Sequence, residues 1–221
     1  MFSVLTFNCN KGNCNVKNIG RILIDSNADV ICLQEFNEKV ATSLIQYNME
    51  NSYVFITSPT SQGWSSTVIY SRFPVVKSKY FDIKGKARKN IQVTLSVNNQ
   101  SINVMTVHLD PGRSNTAIRM EQYMSVLQNV TNNKDNNPTI VTGDFNLSLN
   151  EIVAWPPKNW NSAPLLNTFS SENPCITSPS TFHHPFDRCI YQDLTLIETR
   201  VIGIQPIGSD HYGLLNIFKL N

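Results

Sequence analysis

What this 221-residue chain lacks narrows its class before any motif is read. No apolar run approaches the roughly 20 residues that a membrane-crossing helix needs. The opening Met1-Phe2-Ser3-Val4-Leu5 has no basic flank and no long apolar core, so it does not read as a signal peptide. No Pro/Gly/Ser linker, internal repeat or strong shift of composition interrupts the chain, and one domain over residues 1–221 is expected. The five cysteines, Cys9, Cys14, Cys32, Cys175 and Cys189, include no CxxC pair. An odd count without such pairs suggests free thiols in a reducing compartment rather than a disulfide framework or zinc site. Together these absences give the expectation of a soluble, intracellular monomer without a membrane partner.

Charge bias is also small. With 18 basic and 16 acidic residues the formal net charge is +2, which neither requires nor excludes a polyanionic partner. Any such site must be local. The best candidate run is Lys84, Lys86, Arg88 and Lys89, and a run this short is more often a solvated loop. Asn is abundant but interleaved with apolar periodicity, a surface and loop bias rather than a low-complexity tract. The length itself permits one substantial core, since chains of this size bury roughly 70–75% of their extended surface.

The periodicity predicts strands and helices in a mixed order. Phe2–Phe7 reads as a buried strand ending at Asn8, followed by helical spacing of Val16, Ile19, Ile22 and Leu23 up to Asn27. Asp29–Leu33 is a second buried strand ending in Gln34-Glu35, and a short helix follows around Glu38–Gln46. This β-α-β-α opening suggests strands covered by helices. Tyr53–Ile56, Ser66–Ser71 and Val75–Phe81 are short strands, and 91–97 alternates as a half-exposed antiparallel strand does. Asn98-Asn99-Gln100 then predicts a hairpin into Ile102–Val107, which ends at His108. The longest helix spans about Asn115–Thr131, with Met120, Tyr123, Met124, Leu127 and Val130 as its apolar stripe. Residues 151–185 read mostly as loop, and Arg188–Tyr191, Leu194–Ile202 and Tyr212–Leu220 as strands.

Thr139-Ile140-Val141-Thr142-Gly143-Asp144-Phe145-Asn146 is the most informative stretch. A β-branched run ends in a glycine turn that presents a carboxylate able to deprotonate water and an amide able to donate to an anion. A strand ending in Gly-Asp is also an ordinary turn, so the weight lies in matching chemistry at other strand ends. Asn8, Glu35, His108 and Asp144 each end an apolar strand, and Asp210-His211 precede one. Strand ends gather along a sheet edge, where ligand sites form. Any one of these carboxylates would pass for a turn or helix cap, and His108 alone for a packed histidine. Their equivalent placement in separate strands makes a site for a hard cation and a phosphate. Magnesium favours such sparse oxygen coordination, with water and substrate filling its remaining positions.

These residues also carry a resemblance. Thr6-Phe7-Asn8, Leu33-Gln34-Glu35, His108-Leu109, Gly143-Asp144-Phe145-Asn146 and Ser209-Asp210-His211 occur in the order and approximate spacing of the endonuclease/exonuclease/phosphatase superfamily. The match runs from Thr6 to Leu215. The resemblance implies a four-layer α/β/β/α sandwich, with two packed, mostly antiparallel sheets flanked by helices. It implies Mg²⁺, with Mn²⁺ as a possible substitute, held principally by Glu35 with Asn8 beside it and Asp210 in support. Asp144 would orient and activate the attacking water, while Asn146 and His108 would donate to the phosphoryl oxygens. Asp187, in Phe186-Asp187-Arg188, would orient His211, the transition-state contact.

Within the superfamily the chain resembles the 5′-tyrosyl-DNA phosphodiesterase branch. Arg113 and Ala117-Ile118-Arg119-Met120-Glu121-Gln122 after His108-Leu109, Phe186-Asp187-Arg188 and Ser209–Leu215 are similar, and Arg88 sits where that branch places a DNA-contacting arginine. Such a residue positions phosphate rather than reading a base. Pro111 replaces a usual serine, and Ser148 an arginine that often follows the Gly-Asp-x-Asn-Leu segment. Trp64, Trp155, Trp160 and Phe182 are candidates to stack on bases or a tyrosyl ring, and at least two of them read better as packing aromatics. The implied reaction is Mg²⁺-dependent hydrolysis of a 5′-phosphotyrosyl bond in a protein–DNA adduct. The enzymatic alternatives are another Mg²⁺-dependent endo- or exonuclease, including an abasic-site type, and a small-phosphoester phosphatase. A catalytically silent nucleic-acid-binding module is the alternative of a different class.

Overall fold

In the computed structural model, residues 1–57, 66–83, 89–112, 115–131, 135–151, 155–176 and 182–221 are described. Strand β1 (Phe2–Asn8) leads through helix α1 (Val16–Ser26) to β2 (Val30–Phe36), and α2 (Glu38–Leu44) to β3 (Val54–Thr57) and β4 (Ser66–Ser71). Next come β5 (Val75–Asp82), β6 (Lys89–Val97), β7 (Gln100–His108), α3 (Thr116–Thr131) and β8 (Thr139–Asp144). Three two-residue strands follow, β9 (Asn161–Ser162), β10 (Phe169–Ser170) and β11 (His183–His184). The last three are β12 (Asp187–Gln192), β13 (Leu194–Ile202) and β14 (Gly213–Leu220).

One six-stranded sheet has the order β13-β14-β1-β2-β4-β3 and the other β5-β6-β7-β8-β12-β9. Each is antiparallel except for one parallel pair, β1 with β2 and β7 with β8, joined by α1 and α3 respectively. A parallel pair requires such a crossover, and it brings both carboxyl ends to the same edge. The apolar residues sort into three layers. Val4, Val30, Ile91, Val104 and Ile140 fill the space between the sheets. Leu5, Ile19, Leu23 and Leu33 pack α1 and α2 onto the first sheet, and Val107, Tyr123, Val126 and Val141 pack α3 onto the second. The expected α/β/β/α sandwich is therefore present. The Asn98-Asn99 turn has positive φ at both residues, 51° and 65°, as a tight two-residue hairpin needs.

Three expectations require correction. Cys14 and Cys175 form a disulfide with Cα atoms 5.7 Å apart, while Cys9, Cys32 and Cys189 are free and buried. The pairing spans 161 residues and arises only from folding, so the cysteine count does not argue for a reducing compartment. The buried face of α3 is rotated from the expected stripe: it carries Arg119, Gln122, Tyr123, Val126 and Val130, while Met124 is 59% exposed. Two polar side chains on that face are tolerated because the backbone of the loop after β7 hydrogen-bonds to them. Strand β6 is not half-exposed, since Gln92 and Thr94 are buried along with the apolar set, and the Thr94 hydroxyl donates to Asn103 Oδ1 at 2.8 Å.

Candidate active site

The two parallel pairs place their carboxyl ends face to face. In the first sheet Asn8 stands opposite Gln34, one residue before Glu35. In the second, His108, Asp144 and Asp187 form one row across β7, β8 and β12. His211 enters just before β14, held there by a bridge to Phe169.

Gly143 allows the β7–β8 row to close. Its φ is 147°, and an added Cβ would lie 2.0 Å from the Val107 carbonyl oxygen. No other residue fits that approach. Glu35 has φ of 52°, and the β2–β4 register shifts between Leu33 and Phe36. A bulge of this kind re-aims a side chain, and the strained backbone is characteristic of a working position.

Asp144 is the hub. Its Oδ2 accepts from Asn8 Nδ2 at 2.9 Å and Asn146 Nδ2 at 3.0 Å, and its Oδ1 from the Asn146 backbone N–H at 2.8 Å. His108 Nε2 lies 3.5 Å from Asp144 Oδ2 and 3.7 Å from Glu35 Oε1. His211 Nε2 lies 3.9 Å from Asp144 Oδ2, and its Nδ1 is 2.8 Å from Asp187 Oδ2. Burial pushes the Asp144 carboxyl up to about 6, with His211 and the Asn8 amide pulling down and Asp187 pushing up. For His211, burial disfavours the charged ring, but Asp187 and Asp144 outweigh it and raise the ring to about 10. His211 is therefore an imidazolium at neutral pH, donating Nδ1–H to Asp187.

Of the residues expected from sequence, Asn8, His108, Asp144, Asn146, Asp187 and His211 come together through these contacts, and Glu35 joins through His108. Asp210 acts on the cluster through its charge on His211, and its Oδ1 accepts from Ser209 Oγ at 3.2 Å. Asn8 Oδ1 accepts from the Asn10 backbone N–H at 2.9 Å. Both N–H groups of the Asn146 amide are committed, one to Asp144 and one to the Leu109 carbonyl. Arg88, Arg113 and Trp64, together with Lys84 and Lys86, lie outside the described residues. Trp155 and Trp160 pack in the α3 layer, so two of the four candidate stacking aromatics are core.

Among the described residues, the one group with metal-ligand spacing is Asp144, Asp187 and His211, whose ligand atoms lie within 4.8 Å of one another. Within this triad His211 Nδ1 is already engaged by Asp187 at 2.8 Å, an arrangement suited to an acid–base cluster. Glu35 is the better anchor for a cation: its side chain is 19% exposed, and its Oε1 lies 3.7 Å from His108 Nε2. Its carboxylate oxygens, with the amide oxygen of Asn8 at the end of the neighbouring strand, suit a hard divalent ion.

Several supporting residues escaped the sequence reading. Gln34 is fully buried and donates to Thr6 Oγ1 at 3.0 Å and Thr106 Oγ1 at 2.9 Å, tying the two sheets together beneath Glu35. Thr168 Oγ1 accepts from the Asp187 backbone N–H at 3.1 Å. Arg188 is buried with its guanidinium 4.9 Å from the Trp155 ring, and it donates to the Leu147 carbonyl just after Asn146. The available signal was the polar residue inside or beside each motif.

A model described as the Endonuclease/Exonuclease/phosphatase family matches residues 5–211, and the chain belongs to that family. Its similarity within the family runs to the tyrosyl-DNA phosphodiesterase 2 branch. Tyrosyl-DNA phosphodiesterase 2 of Mus musculus is 26% identical over 216 residues, which cover 85% of this chain and 56% of that protein. The chain thus spans just over half the length of this curated relative. A crystal structure of D. rerio TDP2 complexed with single strand DNA product has TM-score 0.88 at 21% identity, covering 99% of this chain and 98% of that one. A mannosyl-6-phosphatase of Bacteroides thetaiotaomicron has TM-score 0.77 at 16% identity, covering 100% of both chains. These structural likenesses show the fold, and the fold carries more than one substrate class.

Proposed function

We propose that the chain hydrolyses a phosphodiester at a DNA end, with the 5′-phosphotyrosyl bond of a protein–DNA adduct as the substrate. The observation that carries the reaction is Asp144, buried, ionised above about pH 6 and held by two asparagine amides between two imidazoles. That is a general base placed beside cationic and neutral donors.

Asp144 takes a proton from the attacking water. His211, charged and locked by Asp187, stabilises the negative charge that develops on the phosphoryl oxygens, and His108 Nε2 approaches the same Asp144 oxygen at 3.5 Å. Asn8 and Asn146 hold Asp144 in orientation, and Asn146 reaches the phosphoryl group by exchanging its Asp144 bond for the substrate. Glu35, with Asn8 and Asp210, would hold Mg²⁺, or Mn²⁺ in its place. When bound, such an ion neutralises phosphoryl charge and positions substrate.

An aromatic ladder favours a DNA end over a small phosphoester. Phe182 stacks on Phe169 at 5.5 Å and on His184 at 5.7 Å, His184 stacks on Phe186 at 4.8 Å, and Phe169 lies 4.8 Å from the His211 ring. Half-buried rings gathered beside a phosphoryl contact, with Phe186 closing back on Phe169 at 5.2 Å, suit a base or tyrosyl ring. The similarity to tyrosyl-DNA phosphodiesterase 2 supports the same substrate.

The test compares a 5′-tyrosyl single-stranded oligonucleotide, an abasic-site duplex and a small phosphate monoester, each with Mg²⁺ and with EDTA, using wild type and Asp144→Asn. Metal-dependent release of tyrosine, lost in the variant, is expected. Turnover of only the duplex or the monoester would replace the substrate, and silence on all three would favour the binding module.

A further inference from the structure

The residues that fasten two loop segments of the site lie on α3 and in the segment after β8. His108 is followed by Leu109-Asp110, whose backbone leaves the sheet, and Asp144 by the turn carrying Asn146. The two segments touch directly: the Leu109 N–H donates to the Asp144 carbonyl at 2.9 Å, and Asn146 Nδ2 to the Leu109 carbonyl at 3.0 Å. Neither segment belongs to a strand, and an outside tie adds to these two bonds.

Arg119 and Glu151 supply it. Arg119, buried, donates Nη1 to the Asp110 carbonyl at 3.1 Å and to the Gly112 carbonyl, and Nη2 to Thr116 Oγ1 at 3.2 Å and to Glu151 Oε1. Gln122, three residues along α3, accepts from the Asp110 N–H at 2.9 Å, so α3 grips Asp110 at both backbone groups. Glu151 Oε1 accepts from Thr116 Oγ1 at 2.5 Å, and Oε2 from the Ser148 N–H at 2.7 Å, two residues beyond Asn146.

We propose that the Arg119–Glu151 pair is a positioning device that fixes the segment following His108 and the Asn146-bearing segment against each other. The fork geometry of the guanidinium is what lets one side chain hold two carbonyls and a carboxylate at once. Burial pushes the Glu151 carboxyl up, but its bonds from Thr116, Ser148 and Arg119 outweigh this and hold it down at about 2, so the tie persists across the neutral range. In its catalytic consequence this inference rests on the proposed reaction; in its structural statement it does not.

The test is amide hydrogen exchange by mass spectrometry on wild type and Glu151→Gln, with kinetics on whichever probe above is turned over. Exchange in peptides covering 108–112 and 145–149 is expected to accelerate about tenfold or more, with β1 and β2 unchanged. Displacing donors by a fraction of an ångström should lower kcat roughly 10- to 100-fold, with KM within about twofold. Unchanged exchange in both peptides overturns the assignment, as does acceleration spread evenly over all strands, the result of general destabilisation. Should Glu151→Gln fail to fold, Thr116→Val removes one bond to the carboxylate and spares the ion pair, and its smaller acceleration must appear in the same two peptides. A wild type silent on every probe removes the proposed reaction and leaves the exchange result to decide the positioning role.

Discussion

His211 Nδ1 lies 2.8 Å from Asp187 Oδ2, although Asp187 opens a strand of one sheet and His211 precedes a strand of the other. The contact fixes the imidazole ring, and Asp187 and Asp144 together keep it charged. Raised to about 10 from an ordinary 6.5, His211 contributes stability that is fully present below pH 6.5 and lost as pH rises through 10. Asp187→Asn is therefore expected to lower Tm at pH 7 and to flatten its decline between pH 7 and 10. Equal slopes for variant and wild type would contradict the pairing.

Activity should follow the same two groups. Asp144 must be ionised to accept a proton, so kcat/KM rises with an apparent pKa of about 6, and it falls as His211 loses its proton near 10. A pH–rate profile from 5 to 10 measures both limbs. A profile flat between pH 5 and 7.5 would rule out Asp144 as the base. Asp144→Asn should cost roughly 10²–10⁴ in kcat.

Glu35→Gln removes the charged anchor for a divalent ion and leaves the side chain's shape. Turnover should drop by about 10³ or more, with the Mg²⁺ concentration for half-activation shifted upward. Calorimetric titration of Mg²⁺ into wild type and variant checks the binding directly, and equal affinities would remove Glu35 from the metal's coordination.

Phe182→Ala shortens the aromatic ladder without touching the acid–base cluster. Base or ring stacking is worth about 1–3 kcal/mol, so KM for the tyrosyl oligonucleotide should rise roughly 5- to 160-fold at nearly constant kcat. A loss confined to kcat would place the ring's role elsewhere.

Gly143→Ala should fail structurally before it fails chemically. The new methyl would collide with the Val107 carbonyl at a φ that L-residues avoid, at a cost on the order of 3 kcal/mol or more. Denaturant melts measure it, and a shift under 1 kcal/mol would mean that β7 and β8 separate easily.

Residues such as Val4, Ile31, Val104 and Ile140 announce their strands because burial on both faces demands an unbroken apolar run, and period alone reports that. The polar residue at the end or entry of each run was equally legible, which is why Asn8, Glu35, His108 and Asp144 at strand ends and His211 before a strand could be named as candidates from order and spacing. What the tertiary structure decided is everything that depends on which atoms meet. Cys14 pairs with Cys175 across 161 residues, α3 turns Arg119 rather than Met124 inward, and Gln34 bolts one sheet to the other. None of these leaves a periodic trace, because each is one contact between residues far apart in the chain. Local sequence sets the period of burial, and only the closing of the two sheets sets the partners of the buried polar groups.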